Sequence, residues 1–233
     1  MRSTALLPRL ALPALSLIAA LALPGVAHAS EDEQLWTTTS ATVKLSDHWR
    51  LSQEIVARFS NDRNGLYEVE SNTLLGYKLS KAVTVWAGYT HDPQYNGGDF
   101  TVMEHRGRQQ VTFDNIAKIG PVSISARMRV EERWREGIDG TAWRLRPYVK
   151  LVMPFREGGK AALVLSHESF FDLNKTNFQR VQGEERMRNL IAITTPIAKN
   201  VNAEIGYLHQ HGFRPGADDS NDNVASVSLS FNF

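Results

Sequence analysis

VSISARMRVEERW, residues 122–134, is the stretch that decides the fold. Val122, Ile124, Ala126, Met128 and Val130 fall on one face of an extended chain, and Ser123, Ser125, Arg127, Arg129, Glu131 and Arg133 fall on the other. A period of two sustained over this length predicts a strand with one apolar and one wet face. The last residues repeat the rule. Ala225, Val227, Leu229, Phe231 and Phe233 share one face, and Ser226, Ser228, Ser230 and Asn232 share the other.

Working outward from these two stretches gives eleven candidate strands, at 33–46, 48–60, 67–80, 82–92, 101–117, 121–134, 141–153, 160–171, 183–195, 199–211 and 223–233. Most are 11–14 residues long. Strands of soluble domains average about five or six residues, whereas tilted membrane-crossing strands need about nine to eleven. The fold expected is an all-β, antiparallel, up-and-down transmembrane barrel of 10–12 strands. Short connections near 46–47, 80–81, 120–121, 156–159 and 198–200 alternate with longer polar ones at 61–66, 92–100, 135–140, 172–183 and 212–223, as in bacterial outer-membrane barrels. An odd count leaves the first strand starting on the outer side. Either a further strand exists, or the segment 30–46 is not a simple wall strand and enters through the lumen.

The N-terminus sets the compartment expected. Arg2 and Arg9 precede the apolar run Leu10–Leu23, and Ala27-His28-Ala29 has the small-x-small pattern of a cleavage site. Residues 1–29 read as a secretory signal peptide and 30–233 as the barrel domain. Removing the leader takes away two of 26 basic and none of 25 acidic residues. The remainder is nearly neutral, with no field to attract nucleic acid. There is no cysteine, hence no disulfide and no thiolate metal site. The partners expected are outer-membrane lipids and the machinery that assembles barrels, with the protein itself a monomer. The compartment expected is the outer membrane of a Gram-negative bacterium.

By alternation, charged side chains project inward: Arg50, Glu54, Arg58, Glu68, Glu70, Lys78, Glu104, Arg106, Arg108, Arg127, Arg129, Glu131, Arg133, Arg144, Arg146, Lys150, Glu168, Glu184, Arg186, Arg188 and Glu204. None of these suits lipid, where a midplane arginine costs roughly 2–4 kcal/mol. They form either a salt-bridged plug or the lining of a pore or cavity for an anionic group. Aromatic residues gather near strand ends, among them Trp49, Tyr77, Tyr89, Trp134, Trp143, Phe171 and Tyr207, the places of interfacial girdles.

The sequence points to no cofactor, no metal and no catalytic set. His167 and Ser169 share the outward side, but Glu168 between them turns inward, so these three neighbours do not make a triad. His209 and His211, and His91 beside Asp92, read as interfacial polar residues. Asp218, Asp219 and Asp222 read as a solvated loop tip without the spacing of a calcium loop.

An ordered series of short motifs spans nearly all of 30–233. It includes Glu33-Gln34-Leu35-Trp36, Leu45-Ser46-Asp47-His48-Trp49, Val85-Trp86-Ala87-Gly88-Tyr89, Glu104-His105-Arg106, Arg146-Pro147-Tyr148, Glu168 with Phe170-Phe171, and Gly206-Tyr207. The series resembles the uncharacterised bacterial family known as domain of unknown function 2490. The resemblance implies an outer-membrane barrel and supplies no catalytic residue. Separately, the end of the chain resembles the assembly signature of such barrels, which implies that role for Phe233, supported by Phe231 and Leu229. The functions expected are a structural barrel or a narrow, porin-like solute or anion channel. The alternative is a lipid-modifying enzyme with its site at the extracellular rim.

Overall fold

A computed structural model describes residues 30–233; the leader expected at 1–29 lies outside the described residues. Eleven strands follow one another: β1 (Ser30–Lys44), β2 (Trp49–Ser60), β3 (Gly65–Lys78), β4 (Val83–Asn96), β5 (Asp99–Ile119), β6 (Val122–Arg135), β7 (Ile138–Pro154), β8 (Ala162–Asp172), β9 (Gly183–Ala198), β10 (Val201–Gly212) and β11 (Ser220–Asn232). They close into one barrel in which each strand pairs with its sequence neighbours and β1 pairs with β11. No helix occurs among the described residues.

Ten of the pairings are antiparallel and one is not. β1 and β11 run parallel, from Ser30 opposite Ser220 to Thr42 opposite Asn232. This resolves the odd count. Strands that alternate up and down can close at eleven only if the first and last point the same way. Segment 30–46 is therefore a wall strand rather than a lumen insert, since β1 is held on its other edge by β2 through Gln34–Lys44. Phe233 completes the seam: its N–H donates to the Thr42 carbonyl at 2.9 Å, and its carbonyl accepts from Lys44 N–H at 2.8 Å.

The loop asymmetry is weaker than the polar stretches suggest. β4 and β5 extend to Asn96 and Asp99, joined only by Gly97-Gly98. Both glycines have positive φ, 61° and 90°, a backbone that lets a two-residue turn continue the strand twist. Two long connections remain at that end of the barrel, between β8 and β9 and between β10 and β11; it is called the loop end below. At the opposite end, the turn end, Lys44 donates to Asp47 at 2.7 Å across the β1–β2 turn. That hydrogen bond and the nearby positive charge hold the Asp47 carboxyl below its ordinary range.

The two faces separate by chemistry. Leu35, Ile55, Leu75, Ile191, Ile193 and Ile205 are exposed on the outside. Arg106, Arg108, Glu104, Glu131 and Asp92 are buried inside. The barrel thus inverts the usual arrangement, and its core is an array of charges.

Candidate functional site: the arginine-lined lumen

Alternation on β2 to β8 delivers opposite charges to the lumen. Arg58 pairs with Glu68 and, at 3.0 Å, with Glu70. Arg106 reaches Glu70 at 2.8 Å, Asp92 at 2.5 Å and Glu104 at 2.7 Å. Glu104 also accepts from Arg133 at 2.9 Å and Arg135 at 2.7 Å. Arg146 bridges Glu131 at 2.7 Å and Glu168 at 3.0 Å, and Arg127 also contacts Glu168. Arg144 holds Asp172 at 2.8 Å. Glu104, Glu131 and Asp92 are 0% exposed and Arg108 is 2% exposed. Desolvated charges are tolerated only with close, well-directed partners. Glu104 finds three in Arg106, Arg133 and Arg135, and Glu131 finds Arg146, while Asp92 Oδ1, Glu131 Oε2 and Arg108 Nε are buried without a hydrogen-bond partner. Glu68, Glu70 and Asp92 bring carboxylate oxygens within 4.8 Å of one another, but Arg58 and Arg106 already lie among them.

Aromatic rings continue the network across the lumen. Arg58 lies 4.4 Å over the Trp36 ring, and Arg188 lies 4.5 Å from the same ring. Arg188 is also 4.6 Å from Phe170, over which Arg146 sits at 4.2 Å. Guanidinium and ring alternate from β2 through β1, β9 and β8 to β7. Each contact falls within the range where a cation is drawn to a ring face. Arg188 donates to Gln210 Oε1 at 2.7 Å. Unlike the arginines around it, Arg188 has no carboxylate within 4.0 Å among the described residues.

Above this floor a cavity of about 460 Å³ faces the loop end. Eleven arginines and seven carboxylates line it. The β8–β9 connection dips into it. Gln179 accepts from Arg133 at 3.1 Å and donates to the carbonyls of Trp143 (3.1 Å) and Asn174 (2.8 Å), while Arg135 lies 4.9 Å over Phe178.

Most of the charges expected to point inward meet in this network, but several do not. Glu54 accepts from Asn72 at 2.9 Å, and Glu204 lies 3.9 Å from Lys150, both nearer the turn end. Arg129 donates to Gln110 at 2.9 Å, with Glu131 at 3.6 Å, and Arg108 donates to Thr90 at 3.3 Å, with Glu131 at 3.9 Å and its Nε without a hydrogen-bond partner. Arg186 pairs with its neighbour Glu185 at 2.8 Å. Arg50 caps the β1–β2 turn by donating to the Ser46 carbonyl. Glu184 is a correction. A bulge at Phe170/Phe171 places Glu184 opposite the outward Phe171, and Glu185 turns inward toward Arg144, at 3.6 Å. The reading by alternation missed Asp92, Asp172, Glu185, Trp36 and Phe170. Trp36 and Phe170 have the same parity as their inward neighbours Gln34 and Glu168, and parity alone could have found them.

On the outer wall, His167 does not stand alone. Its Nδ1 is 2.8 Å from Asn189 Oδ1 and its Nε2 is 3.0 Å from Ser169 Oγ. Glu168 does turn into the lumen, but Asn189 of β9 stands directly opposite His167 in the register. His211 contacts Asn221 at 2.8 Å and Asp219 at 3.2 Å, and the His209 and His211 rings stack at 6.5 Å. His91 and His105 are 5.9 Å apart, and His105 Nε2 is 3.1 Å from Glu136. At the end of the chain, the rings of Phe231 and Phe233 stack at 6.3 Å.

The chain is 28% identical over 200 residues to an uncharacterised protein of Methylorubrum extorquens, covering 85% of this chain and 87% of that one. Among solved structures it superposes on the NanC porin with a TM-score of 0.55 at 13% identity, over 87% of this chain and 99% of that one. LpxR from Salmonella typhimurium superposes more loosely, at a TM-score of 0.47 and 10% identity over 78% of this chain and 83% of that one. The likeness to the porin is one of fold alone. The family model described as "Protein of unknown function (DUF2490)" matches residues 33–221, and the chain belongs to that family.

Proposed function

We propose that the protein is an exported bacterial outer-membrane barrel whose lumen is occluded and whose outer cup holds an anionic group. One observation carries the reading: the buried Arg188 guanidinium sits between two aromatic rings at the floor of an arginine-rich cavity, without a carboxylate. Arginine forks match carboxylate and phosphate oxygens, and a low-dielectric cup strengthens the attraction. The exposed aliphatic band and the porin-like fold support a membrane location. In that orientation the turn end is periplasmic and the loop end is outside. Lipids contact the aliphatic band, the assembly machinery reads the segment ending at Phe233, and the wall needs no second copy to close.

The interlocked charges favour a structural, anion-holding barrel over an open channel. Side chains from β4, β5 and β6 meet in the lumen with at most 2% exposure. Two measurements test this. Planar-bilayer recording is expected to give no steady conductance, and a persistent open level sinks the occluded reading. Titration of the refolded barrel with inorganic phosphate is expected to show saturable, salt-sensitive binding that Arg188→Met weakens at least about ten-fold, the loss of one charge-assisted contact. Absence of saturable binding removes the cup from the proposal.

A further inference from the structure

The geometry points to a second site, on the outer wall: a Ser169–His167–Asn189 triad for hydrolysis of acyl esters presented by lipid. One tautomer satisfies both contacts of the imidazole. With the proton on Nδ1, His167 donates to Asn189 Oδ1 at 2.8 Å, and Nε2 is left to accept from Ser169 Oγ at 3.0 Å. This is the nucleophile–base–orienter arrangement of serine hydrolases, recognised by geometry and not by order in sequence. An amide as the third member keeps the group neutral, which suits a wall facing lipid.

The backbone fixes the arrangement. His167 and Ser169 lie two residues apart on one face of β8, and the pairing of β8 with β9 sets Asn189 opposite His167. Beside Ser169 the β7–β8 ladder lapses. Its partners step from Leu145–Phe171 to Tyr148–Glu168, passing Pro147, which has no N–H to give. Ser169 is 8% exposed, so its hydroxyl is shielded from bulk water. The triad also marks a border. Toward the turn end the wall becomes aliphatic at Leu165, Ile191 and Ile193, and toward the loop end Phe171 and Trp143 follow. In the orientation proposed above, that border is where ester linkages of outer-leaflet lipids lie. The substrate class rests on that orientation; the nucleophilicity of Ser169 does not.

In the reaction, Ser169 Oγ adds to the ester carbonyl carbon as His167 Nε2 takes its proton. The tetrahedral adduct expels the alcohol, which leaves with the proton from His167, and an acyl-serine remains. Water then adds to that carbonyl, giving a proton to His167. The acyl–Oγ bond breaks, the fatty acid departs, and Ser169 regains its proton. Ester and water become acid and alcohol. Ser169 and His167 are the catalytic residues and Asn189 is a positioning residue.

The test uses the full barrel, its fold checked by heat-modifiable migration. A fluorophosphonate probe in detergent micelles is expected to label one serine, identified as Ser169 by mass spectrometry. Ser169→Ala abolishes labelling, and His167→Ala slows it by roughly 10²–10⁴-fold. Asn189→Ala lowers kcat for ester hydrolysis with KM unchanged, and Asn189→Asp restores it. Fatty-acid release is then followed separately from phosphatidylethanolamine vesicles and from acylated glycolipid, and release from either supports the substrate class. No labelling at Ser169 in a folded barrel overturns the triad whatever the orientation. Labelling without release from either lipid overturns the lipid substrate.

Discussion

Arg188 and Trp36 lie 4.5 Å apart, guanidinium to ring, although their strands are separated around the wall by β10 and β11. The contact spans the lumen and does not follow the sheet. It makes the stacked floor a cross-brace as well as the base of the cup.

Arg188→Met is expected to leave the barrel as stable as before or more so. A buried cation without a carboxylate is an electrostatic burden, and an apolar side chain of similar length keeps contact with both rings. Urea unfolding in lipid vesicles checks this. A loss above about 2 kcal/mol would contradict it and assign Arg188 a bracing role that its charge is needed for.

Glu104→Gln acts in the opposite sense. Glu104 is 0% exposed and serves Arg106, Arg133 and Arg135 together. The amide keeps the volume and removes the one carboxylate that, among the described residues, all three guanidiniums share. A loss of roughly 3–5 kcal/mol is expected, the scale for breaking a buried ion pair from one side. The same unfolding measurement decides it, and a wild-type midpoint would show that water or neighbouring carboxylates replace Glu104 without effort.

Gly88→Ala is expected to damage pairing of β3 and β4. A Cβ at Gly88 would come 2.0 Å from the Thr73 carbonyl oxygen and 2.8 Å from Leu74 Cα, both backbone atoms. Neither can swing aside as a side chain would. The loss is expected to reach or exceed the roughly 1–3 kcal/mol of ordinary overpacking. Folded yield by gel migration gives a first measure, and an undiminished yield would mean that the strands separate there more easily than their register suggests.

Removing Phe233 is expected to loosen the seam. Two backbone hydrogen bonds to β1 disappear with it, worth about 1–3 kcal/mol together. Hydrogen exchange should then rise at Thr42–Lys44 and stay unchanged on β5 to β7. A uniform rise would place the closing role elsewhere.

Much of the wall was legible in the sequence because the period of two leaves a residue-by-residue record. The strand at 122–134 matches β6, and its Arg129, Glu131 and Arg133 are buried inside as the alternation implies, while Glu132 falls on the outward parity opposite Trp143. The direction of closure follows from the parity of the strand count, which the sequence leaves open at 10–12. No local pattern on β1 says whether its free edge meets a parallel or an antiparallel neighbour. The triad was hidden for a related reason. His167 and Ser169 were visible as a pair, but Asn189 lies 22 positions away and joins them only through register. Glu184 and Glu185 exchanged places because one bulge shifts parity, and nothing in GEER, residues 183–186, announces a bulge.

The parallel seam has a further consequence for how the chain could be rearranged. In an even-stranded barrel both termini emerge at the same rim, and a short linker can join them. Here β1 starts at Ser30 on one rim and β11 runs out toward Phe233 on the other, with thirteen register positions along the β1–β11 pairing. At about 3.3 Å per residue that is on the order of 40 Å of wall. A circular permutant of this protein needs a linker that crosses the full height of the barrel, so the order in which its strands are written is built into its shape.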